Sequence, residues 1–234
     1  MEGTLKVSAL CAASALFMAP LHDFEDVRRK KKVGERAVFP FVCMWANSTM
    51  WLVYGLYTGD IFPTVLTNTL GLLFSMYYCA VFVWAVEPPA RKTEAYNMFA
   101  GTFFVVCLIC TYCLGSFSSD PRHMADSRVI HYAGMAASAS TAVQYASPLA
   151  ELVKVIRRRS TEGLSSLLAG VSLTCASLWL CYGWVTDDAF IYVPNVLGVV
   201  FSSAQCSLFY IFPRHMKKGK GRSRIGPKEL STTV

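Results

Sequence analysis

A short sequence that occurs twice at a fixed spacing limits what this chain can fold into. Residues 51–55 read WLVYG and residues 179–183 read WLCYG, so the two copies lie 128 positions apart. Farther along, NTLG beginning at Asn68 recurs as NVLG beginning at Asn195, at an offset of 127. Similarity at a constant offset indicates that one structural unit has been duplicated. The fold must therefore accommodate two copies of the same arrangement.

Both copies lie in long segments without Asp, Glu, Lys or Arg. Six such segments occupy residues 37–59, 61–86, 95–119, 129–150, 163–186 and 189–213, and Val7–Leu21 is a shorter seventh. About 20 apolar residues suffice for a helix to cross a bilayer. Only 16% of the 234 residues are charged, against about 25% in soluble domains. We therefore predict an all-α membrane protein with seven transmembrane helices. Cleavage of the first segment as a signal peptide is an alternative, which we disfavour because Pro20 recurs as Pro148.

The basic residues are concentrated in every second connection between these segments. They form Arg28–Lys32, Arg91-Lys92, Arg157–Arg159 and the stretch from Arg214 onward, whereas Asp60, Asp187 and Asp188 lie in other connections. Basic connections stay on the cytoplasmic side of a membrane. We therefore expect an integral membrane protein with an extracellular N-terminus and a cytoplasmic C-terminus. The plasma membrane is the expected location, and an internal membrane is the alternative that the sequence leaves open. The net charge of +7 thus reflects topology and does not predict binding to nucleic acid.

The predicted helices group into two three-helix repeats, residues 5–86 and 128–213, joined by a linker helix at residues 95–118. Two three-helix units joined directly would have opposite orientations in the membrane, and one additional span gives them the same orientation. We therefore predict parallel repeats in a 3+1+3 layout. The basic tail, residues 217–234, is expected to be disordered. Its last residues, Thr232–Val234, match the pattern that PDZ-type partners bind.

Reactive and metal-binding side chains form no recognisable site in the sequence. All nine cysteines fall in apolar segments, where they behave as small hydrophobic residues. Cys107, Cys110 and Cys113 share a helical spacing, but no histidine lies near them, so we predict neither a metal nor another cofactor. The apolar segments contain no recognisable Ser-His-Asp arrangement and no facing pair of carboxylates. We predict that the protein is not an enzyme.

Polar and aromatic residues that recur in both units are candidates for a binding site. Asn68 and Asn195 lie within apolar segments, where an unpaired amide is costly. Trp51 and Trp179 lie about two turns before acidic connections, deeper than interfacial tryptophans. An indole face can contact the C–H face of a sugar ring, and an amide can hydrogen-bond its hydroxyl groups. The alternatives are hydrogen bonding between helices for the asparagines and an interfacial belt for the tryptophans.

The paired W-x-x-Y-G and N-x-x-G motifs resemble those of the SWEET sugar transporters, which belong to the PQ-loop superfamily. Residues 147–149 and 160–164 extend the resemblance, which covers nearly all of the chain except the tail. Parallel repeats are an established arrangement in this family. The resemblance implies passive, bidirectional uniport of mono- or disaccharides by alternating access, in a protein surrounded by membrane lipid. It leaves the oligomeric state open, with a homo-oligomer among the alternatives.

The resemblance also implies roles for particular residues. The substrate-binding positions are Asn68, Asn195, Trp179, Trp51, Asn47 and Cys175. The extracellular gate positions are Tyr54, Tyr182, Gly183 and Asp188. The hinge positions are Pro20, Pro40 and Pro148. We further expect Asp188 to pair with Tyr182 when the gate is closed.

One departure from the family pattern and two alternative functions are relevant to the structure. Ser165 occupies the position of the fourth hinge proline of the family, which argues against symmetric hinging of the two halves. Another PQ-loop protein, such as an amino-acid exporter or a cargo receptor, would carry glutamine where this chain has Leu21 and Leu149. A seven-helix receptor would not repeat three of its helices.

Overall fold

The computed structural model describes residues 2–34, 36–115, 127–161 and 164–212. Across these residues the regular secondary structure is helical, which confirms the all-α fold class for this part of the chain. The helices are α1 (Glu2–Met18), α2 (Leu21–Lys30), α3 (Phe39–Thr58), α4 (Leu66–Ala85), α5 (Pro89–Gly115), α6 (Ser127–Gln144), α7 (Ala146–Arg158), α8 (Ser166–Val185) and α9 (Ala189–Ile211). A π-helical turn, Ile61–Val65, directly precedes α4. The tail and its end, Thr232–Val234, lie outside the described residues.

Five helical segments are long and apolar enough to cross a membrane. They are Glu2–Lys30, Ile61–Ala85, Pro89–Cys113, Ser166–Val185 and Ala189–Ile211. Helices α3 and α6 have 20 and 18 residues but are not among these segments. Both carry polar side chains, including Asn47 and Thr141, that line an internal cavity. Because these polar residues face protein and not lipid, they lower the average apolarity of the two helices without exposing polar groups to the membrane.

Two helical segments break at equivalent places where a proline is present. Pro20 lies between α1 and α2. In the second half, α6 and α7 meet at Tyr145, three residues before Pro148, which lies in the first turn of α7. A proline has no amide hydrogen to donate to the carbonyl four residues earlier, so helical hydrogen bonding is interrupted there. In both copies the helix is therefore interrupted within a few residues of the equivalent proline.

The third expected hinge position, Pro40, lies in the first turn of α3. Proline is well accommodated there because the first amides of a helix have no partner within the helix. Ser165, which replaces the fourth hinge proline, is the N-cap of α8, and its hydroxyl accepts a hydrogen bond from the amide of Leu168 at 3.2 Å. Each residue thus supports the start of a helix and does not bend a helix interior.

The helix at the predicted fourth span begins earlier than the uncharged segment does. Helix α5 starts at Pro89, whereas the prediction placed its start at residue 95. Proline favours the first turn of a helix, which explains the earlier start. The Arg91 guanidinium, in that first turn, donates to the carbonyl oxygens of Gly34 and Arg36, both at 2.7 Å. These bonds hold the connection between α2 and α3 against α5.

The helices pack in the same way within the two halves of the chain, which are α1–α4 and α6–α9. Helix α3 packs on α4 as α8 packs on α9, and α1 and α2 contact α4 as α6 and α7 contact α9. Between the halves, α1 packs on α8 and α3 packs on α6. The connections that contain Asp60 and Asp188 meet at one end of the bundle, called the acidic end below. Arg28–Lys32 lies at the opposite, basic end.

The two halves differ in how their basic ends are filled. In the first half, Phe24 and Tyr78 are 1% and 0% exposed, and their ring centroids lie 4.7 Å apart. Phe41 contacts both rings. The buried members of the corresponding cluster in the second half are Leu152, Val155, Leu164 and Leu208. Phe201, Phe209 and Phe212 pack against this second cluster but are only partly buried, so the fully buried rings are a feature of the first half.

Gly183, which was expected at the gate, lies where α8 and α9 come very close together. A Cβ atom at this position would lie 2.6 Å from the backbone nitrogen of Tyr192 and 2.9 Å from Cγ2 of Ile191. Side chains cannot approach a backbone that closely, so this helix distance requires glycine. At Gly170, on the same helix, an added Cβ atom would meet nothing within 4 Å.

We predict that Gly183→Ala lowers the free energy of unfolding by about 1–3 kcal/mol, because α8 and α9 must separate to admit the methyl group. Gly170→Ala is the matched control. It should be at least as stable as the wild type, with a gain of up to about 1 kcal/mol from the higher helix propensity of alanine. Thermal unfolding of the purified protein in detergent measures both effects. Equal stability of the two variants would contradict the packing role of Gly183.

Candidate functional site

A central cavity of about 270 Å³ lies among α1, α3, α4, α6, α8 and α9. The structure places all six substrate-binding positions named from the sequence on its lining: Asn47, Trp51, Asn68, Cys175, Trp179 and Asn195. The lining also contains polar residues that the sequence reasoning missed, namely Thr67, Thr141, Gln144, Ser172, Ser202 and Gln205. The cavity thus brings together side chains from both halves.

Asn68 and Asn195 occupy equivalent positions on α4 and α9. Each donates from Nδ2 to the carbonyl oxygen four residues earlier, that of Thr64 at 2.9 Å and that of Ile191 at 2.8 Å. Neither amide bonds to another helix within the described part of the chain. The bond to its own helix fixes the orientation of each side chain and leaves Oδ1, which has two acceptor sites, without a partner among the described residues. Each amide therefore retains an acceptor for a ligand.

The glycine of each N-x-x-G motif makes room for an aromatic ring beside the cavity. A Cβ atom at Gly71 would lie 2.8 Å from Cζ of Phe17, and one at Gly198 would overlap the hydroxyl oxygen of Tyr145. Phe17 and Tyr145 both line the cavity, and they are 128 positions apart, like the two pentapeptides. The motif therefore combines an amide that lines the cavity with a gap that an aromatic side chain fills.

Trp51 and Trp179 share their local packing but differ in hydrogen bonding. The ring of Trp51 meets Tyr54 edge-on at a centroid distance of 5.6 Å, and the ring of Trp179 meets Tyr182 edge-on at 5.7 Å. The spacing of three residues places each tryptophan and tyrosine on one helix face. Trp51 donates from Nε1 to Oγ1 of Thr141 at 2.9 Å. Trp179 has no such acceptor among the described residues, so its N–H remains for a ligand.

One wall of the cavity is a hydrogen-bonded network that joins the two halves. Oδ1 of Asn47 accepts from the hydroxyls of Ser140 at 2.9 Å and Thr141 at 2.8 Å. Thr141 in turn accepts from Trp51. The position equivalent to Asn47 in the second half is Cys175, a buried thiol. The duplicated frame therefore has one polar wall, and the opposite wall is less polar.

Two hydrogen bonds between the halves, called the latch below, close the acidic end. Tyr54 donates its hydroxyl hydrogen to Oδ2 of Asp188 at 2.7 Å, and Tyr182 donates to Oδ2 of Asp60 at 2.8 Å. The expected pairing of Asp188 with Tyr182 was wrong, since each tyrosine pairs with the carboxylate of the other half. Oδ1 of Asp188 accepts from the amide of Phe190 at 3.0 Å at the start of α9, which orients Oδ2 toward Tyr54.

Asp60 is a latch residue that the sequence reasoning missed. Its Oδ2 also accepts from the hydroxyl of Thr64 in the π-helical turn. Lys6, from α1, lies with its Nζ atom 5.9 Å from the centre of the Tyr182 ring beside this bond. A signal was present in the sequence, because Asp60 precedes Asp188 by 128 positions, the offset of the pentapeptides. A search for all pairs at this offset would have included it.

The chemistry of the cavity restricts what it can bind. Its lining supplies amides, hydroxyls, a thiol, aromatic rings and aliphatic groups, and none of the described lining residues is charged. Within residues 2–34, 36–115, 127–161 and 164–212, no three His, Cys, Asp or Glu side chains group to hold a metal ion. Cys107, Cys110 and Cys113 on α5 are free thiols. The cavity therefore suits an uncharged molecule that has several hydrogen-bonding groups and an apolar face.

Comparisons with known proteins identify relatives along most of the chain. The model of a family described as a sugar efflux transporter for intercellular exchange matches residues 4–89 and 131–217. The sugar transporter SWEET1 of Drosophila pseudoobscura pseudoobscura is 32% identical over 196 residues, which cover 82% of this chain and 81% of the relative. The bidirectional sugar transporter SWEET11 of Arabidopsis thaliana is 27% identical over 216 residues, which cover 92% of this chain and 71% of the relative.

A solved structure has the same fold. A eukaryotic SWEET transporter, determined at 3.7 Å resolution, matches with a TM-score of 0.76 over 89% of this chain and 95% of that chain. The identity in this alignment is 22%, so the structural match concerns the fold alone. The family model, in contrast, matches well over half of the sequence. The chain therefore belongs to the SWEET family, which is a family of sugar transporters and not of enzymes.

Proposed function

We propose that this protein is a passive uniporter that carries mono- or disaccharides across a membrane by alternating access. The observation that carries the proposal is a cavity without charged residues in its described lining. It is lined by a tryptophan and an asparagine from each half and lies beneath the latch between the halves. A sugar presents hydroxyl groups at its edge and C–H groups on its faces. The asparagine amides can hydrogen-bond the hydroxyl groups, and the tryptophan rings can pack against the C–H faces.

The latch supports the alternating-access part of the proposal. Asn195 lies close to the acidic end of α9, and Gln205 lies ten residues farther along, so lining residues extend about 15 Å toward the basic end. A substrate in this cavity is separated from the acidic end by the two tyrosine–aspartate bonds. Breaking these bonds and bringing the helices together at the basic end would transfer access from one side to the other.

The layout that we propose for this movement is 3+1+3. The matching contacts within the halves support it, as does the match of the family model to two separate segments. Helices α1–α4 and α6–α9 would be the parallel repeats, and α5 the linker between them. Pro20 and Pro148 lie at the breaks that would allow each half to bend. Pro40 and Ser165 would act at helix starts, which gives the two halves unequal hinges.

The absence of charge from the described cavity lining supports passive transport. A proton-coupled carrier needs a titratable group that the substrate or the conformational change can reach, and such groups in a membrane mark proton pathways. The carboxylates of the latch are engaged with tyrosine hydroxyls. An amino-acid exporter would have to hold a charged ammonium and carboxylate group, for which this lining offers no partner.

The distribution of charge supports an orientation in the membrane. The basic end, with Arg28–Lys32 and Arg157–Arg159, would face the cytoplasm, and the acidic end would face the outside. We place the protein in the plasma membrane with an extracellular N-terminus. A PDZ-type partner at Thr232–Val234 remains a prediction of the sequence, as does a homo-oligomer.

The transport proposal predicts uptake of labelled glucose or sucrose by proteoliposomes that contain the purified protein. Because no coupling is invoked, influx and efflux should follow the sugar gradient alone and should not change when a proton gradient is imposed or dissipated. Empty liposomes are the control. Correctly folded protein that moves neither sugar would contradict the proposed function.

Asn195→Ala is expected to reduce sugar flux at least tenfold, because it removes groups that hydrogen-bond the sugar in an apolar surrounding. Flux in proteoliposomes and the amount of folded protein are measured together. Ser207→Ala is the matched control, since this serine lies on the exposed side of α9 and bonds to its own helix at Ser203. Wild-type flux in Asn195→Ala would assign Asn195 to helix structure only.

The latch predicts that Tyr54→Phe and Tyr182→Phe change the rate of exchange more than the apparent affinity for sugar. A hydrogen bond to a charged acceptor contributes about 1.5–3 kcal/mol, so its loss favours opening of the acidic end by about tenfold or more. Equilibrium exchange kinetics give the rate, and distances between spin labels at the acidic end give the open population. Tyr210→Phe is the control, because Tyr210 is 93% exposed.

These tyrosine variants test the latch more cleanly than Asp188→Ala does. The Asp188 carboxylate also caps α9, so its removal alters the helix as well as the latch. Unchanged exchange and an unchanged open population in both tyrosine variants would contradict a gating role for the pair.

A further inference from the structure

A polar stripe runs along one face of α9 from the centre of the cavity toward the basic end. It consists of Asn195, Gly198, Ser202 and Gln205, whose spacings of three, four and three residues place them on the same side of a helix. All four line the central cavity. At 1.5 Å per residue, Gln205 lies about 15 Å from Asn195 along the helix axis. The stripe therefore extends well beyond the paired asparagines.

Beyond Asn68, which lines the cavity, the corresponding stripe of the first half is closed to a ligand. Its members on α4 are Asn68, Gly71, Ser75 and Tyr78, each 127 positions before its counterpart. The Ser75 hydroxyl donates to the carbonyl of Leu72 at 2.9 Å, and the Tyr78 hydroxyl donates to the carbonyl of Phe17 at 2.8 Å. Both residues are 0% exposed. Their polar groups are satisfied by protein, and the Tyr78 ring fills the space.

Ser202 and Gln205 differ from Ser75 and Tyr78 in both their exposure and their hydrogen bonding. They are 6% and 8% exposed, so more than nine-tenths of each residue is buried, and what remains accessible faces the cavity. Neither has a hydrogen-bond partner among the described residues. A buried amide without a partner lowers stability, because the bonds that it made to water in the unfolded chain are not replaced. Such a group is explained when a ligand or water in the cavity supplies the missing bonds.

We propose that Gln205, with Ser202, forms a second sugar-binding position between the central asparagines and the basic end. The proposal rests on the function proposed above. The primary amide offers two donors and one acceptor, and the hydroxyl offers one donor, so together they suit the adjacent hydroxyl groups of a sugar. Because Tyr78 occupies the equivalent place in the first half, this position belongs to one half alone.

Gln205→Met tests this position, because methionine is unbranched and similar in length but cannot hydrogen-bond as an amide does. Flux of the transported sugar is measured with glucose and each of its monodeoxy analogues as competitors. The variant should bind glucose about threefold to tenfold more weakly, as expected for the loss of one hydrogen bond. The analogue that lacks the hydroxyl bound by Gln205 should inhibit flux through the wild type and through the variant with the same competition constant.

Two controls separate this outcome from a change in folding or in overall function. Ser207→Ala changes an exposed serine of the same helix and should leave every competition constant unchanged. Ser202→Ala removes a single oxygen and provides the test if Gln205→Met does not fold. The proposal would be overturned if the competition constants of Gln205→Met equalled those of the wild type. It would also be overturned if binding of glucose and of every analogue weakened by one common factor. Absence of flux in the wild type would instead contradict the proposed function.

Discussion

The cost of an unpaired polar group inside a membrane controls the arrangement of this bundle. Polar side chains within the helices bond to their own backbone, as Thr69 does to Val65 at 2.8 Å, bond to a neighbouring helix, as Ser138 does to the carbonyl of Phe190 at 2.9 Å, or turn toward the central cavity. Many large apolar side chains take outward positions, and Leu167 and Ile211 are 77% and 64% exposed there. The cavity is therefore a consequence of where polar residues can be placed, and α3 and α6 are less apolar because they help to line it.

Duplication supplies the frame of the cavity, but the two copies have diverged where they meet it. Each half contributes a tryptophan, a tyrosine and an asparagine at equivalent positions, and the tyrosines bond across to the opposite half. Asn47 forms a network with α6, whereas its counterpart, Cys175, is a thiol. Tyr78 fills a space that Gln205 leaves open. A symmetric frame with unequal walls can hold a substrate that is itself asymmetric.

The sequence predicted the features that depend on local or periodic patterns. Uncharged segments indicated the helices, and the helical class and the family were confirmed. The start of α5 was placed too late because the prediction followed the uncharged segment, whereas the helix itself begins at Pro89 and includes charged residues in its first turns. Thr141 could not be found as the acceptor of Trp51, since 90 positions separate them and only helix packing brings them together. Asp60 was missed although the constant offset pointed to it.

By itself, the sequence determined that the chain is duplicated, helical and apolar, and that asparagine and tryptophan recur at matching depths. These properties follow from residue type and spacing along one helix. Only the tertiary structure decided that Tyr54 bonds to Asp188 and Tyr182 to Asp60, across the two halves. The physical reason is that a hydrogen bond needs two atoms within about 3 Å. The crossing of helices distant in sequence, and not the spacing within either one, sets that distance.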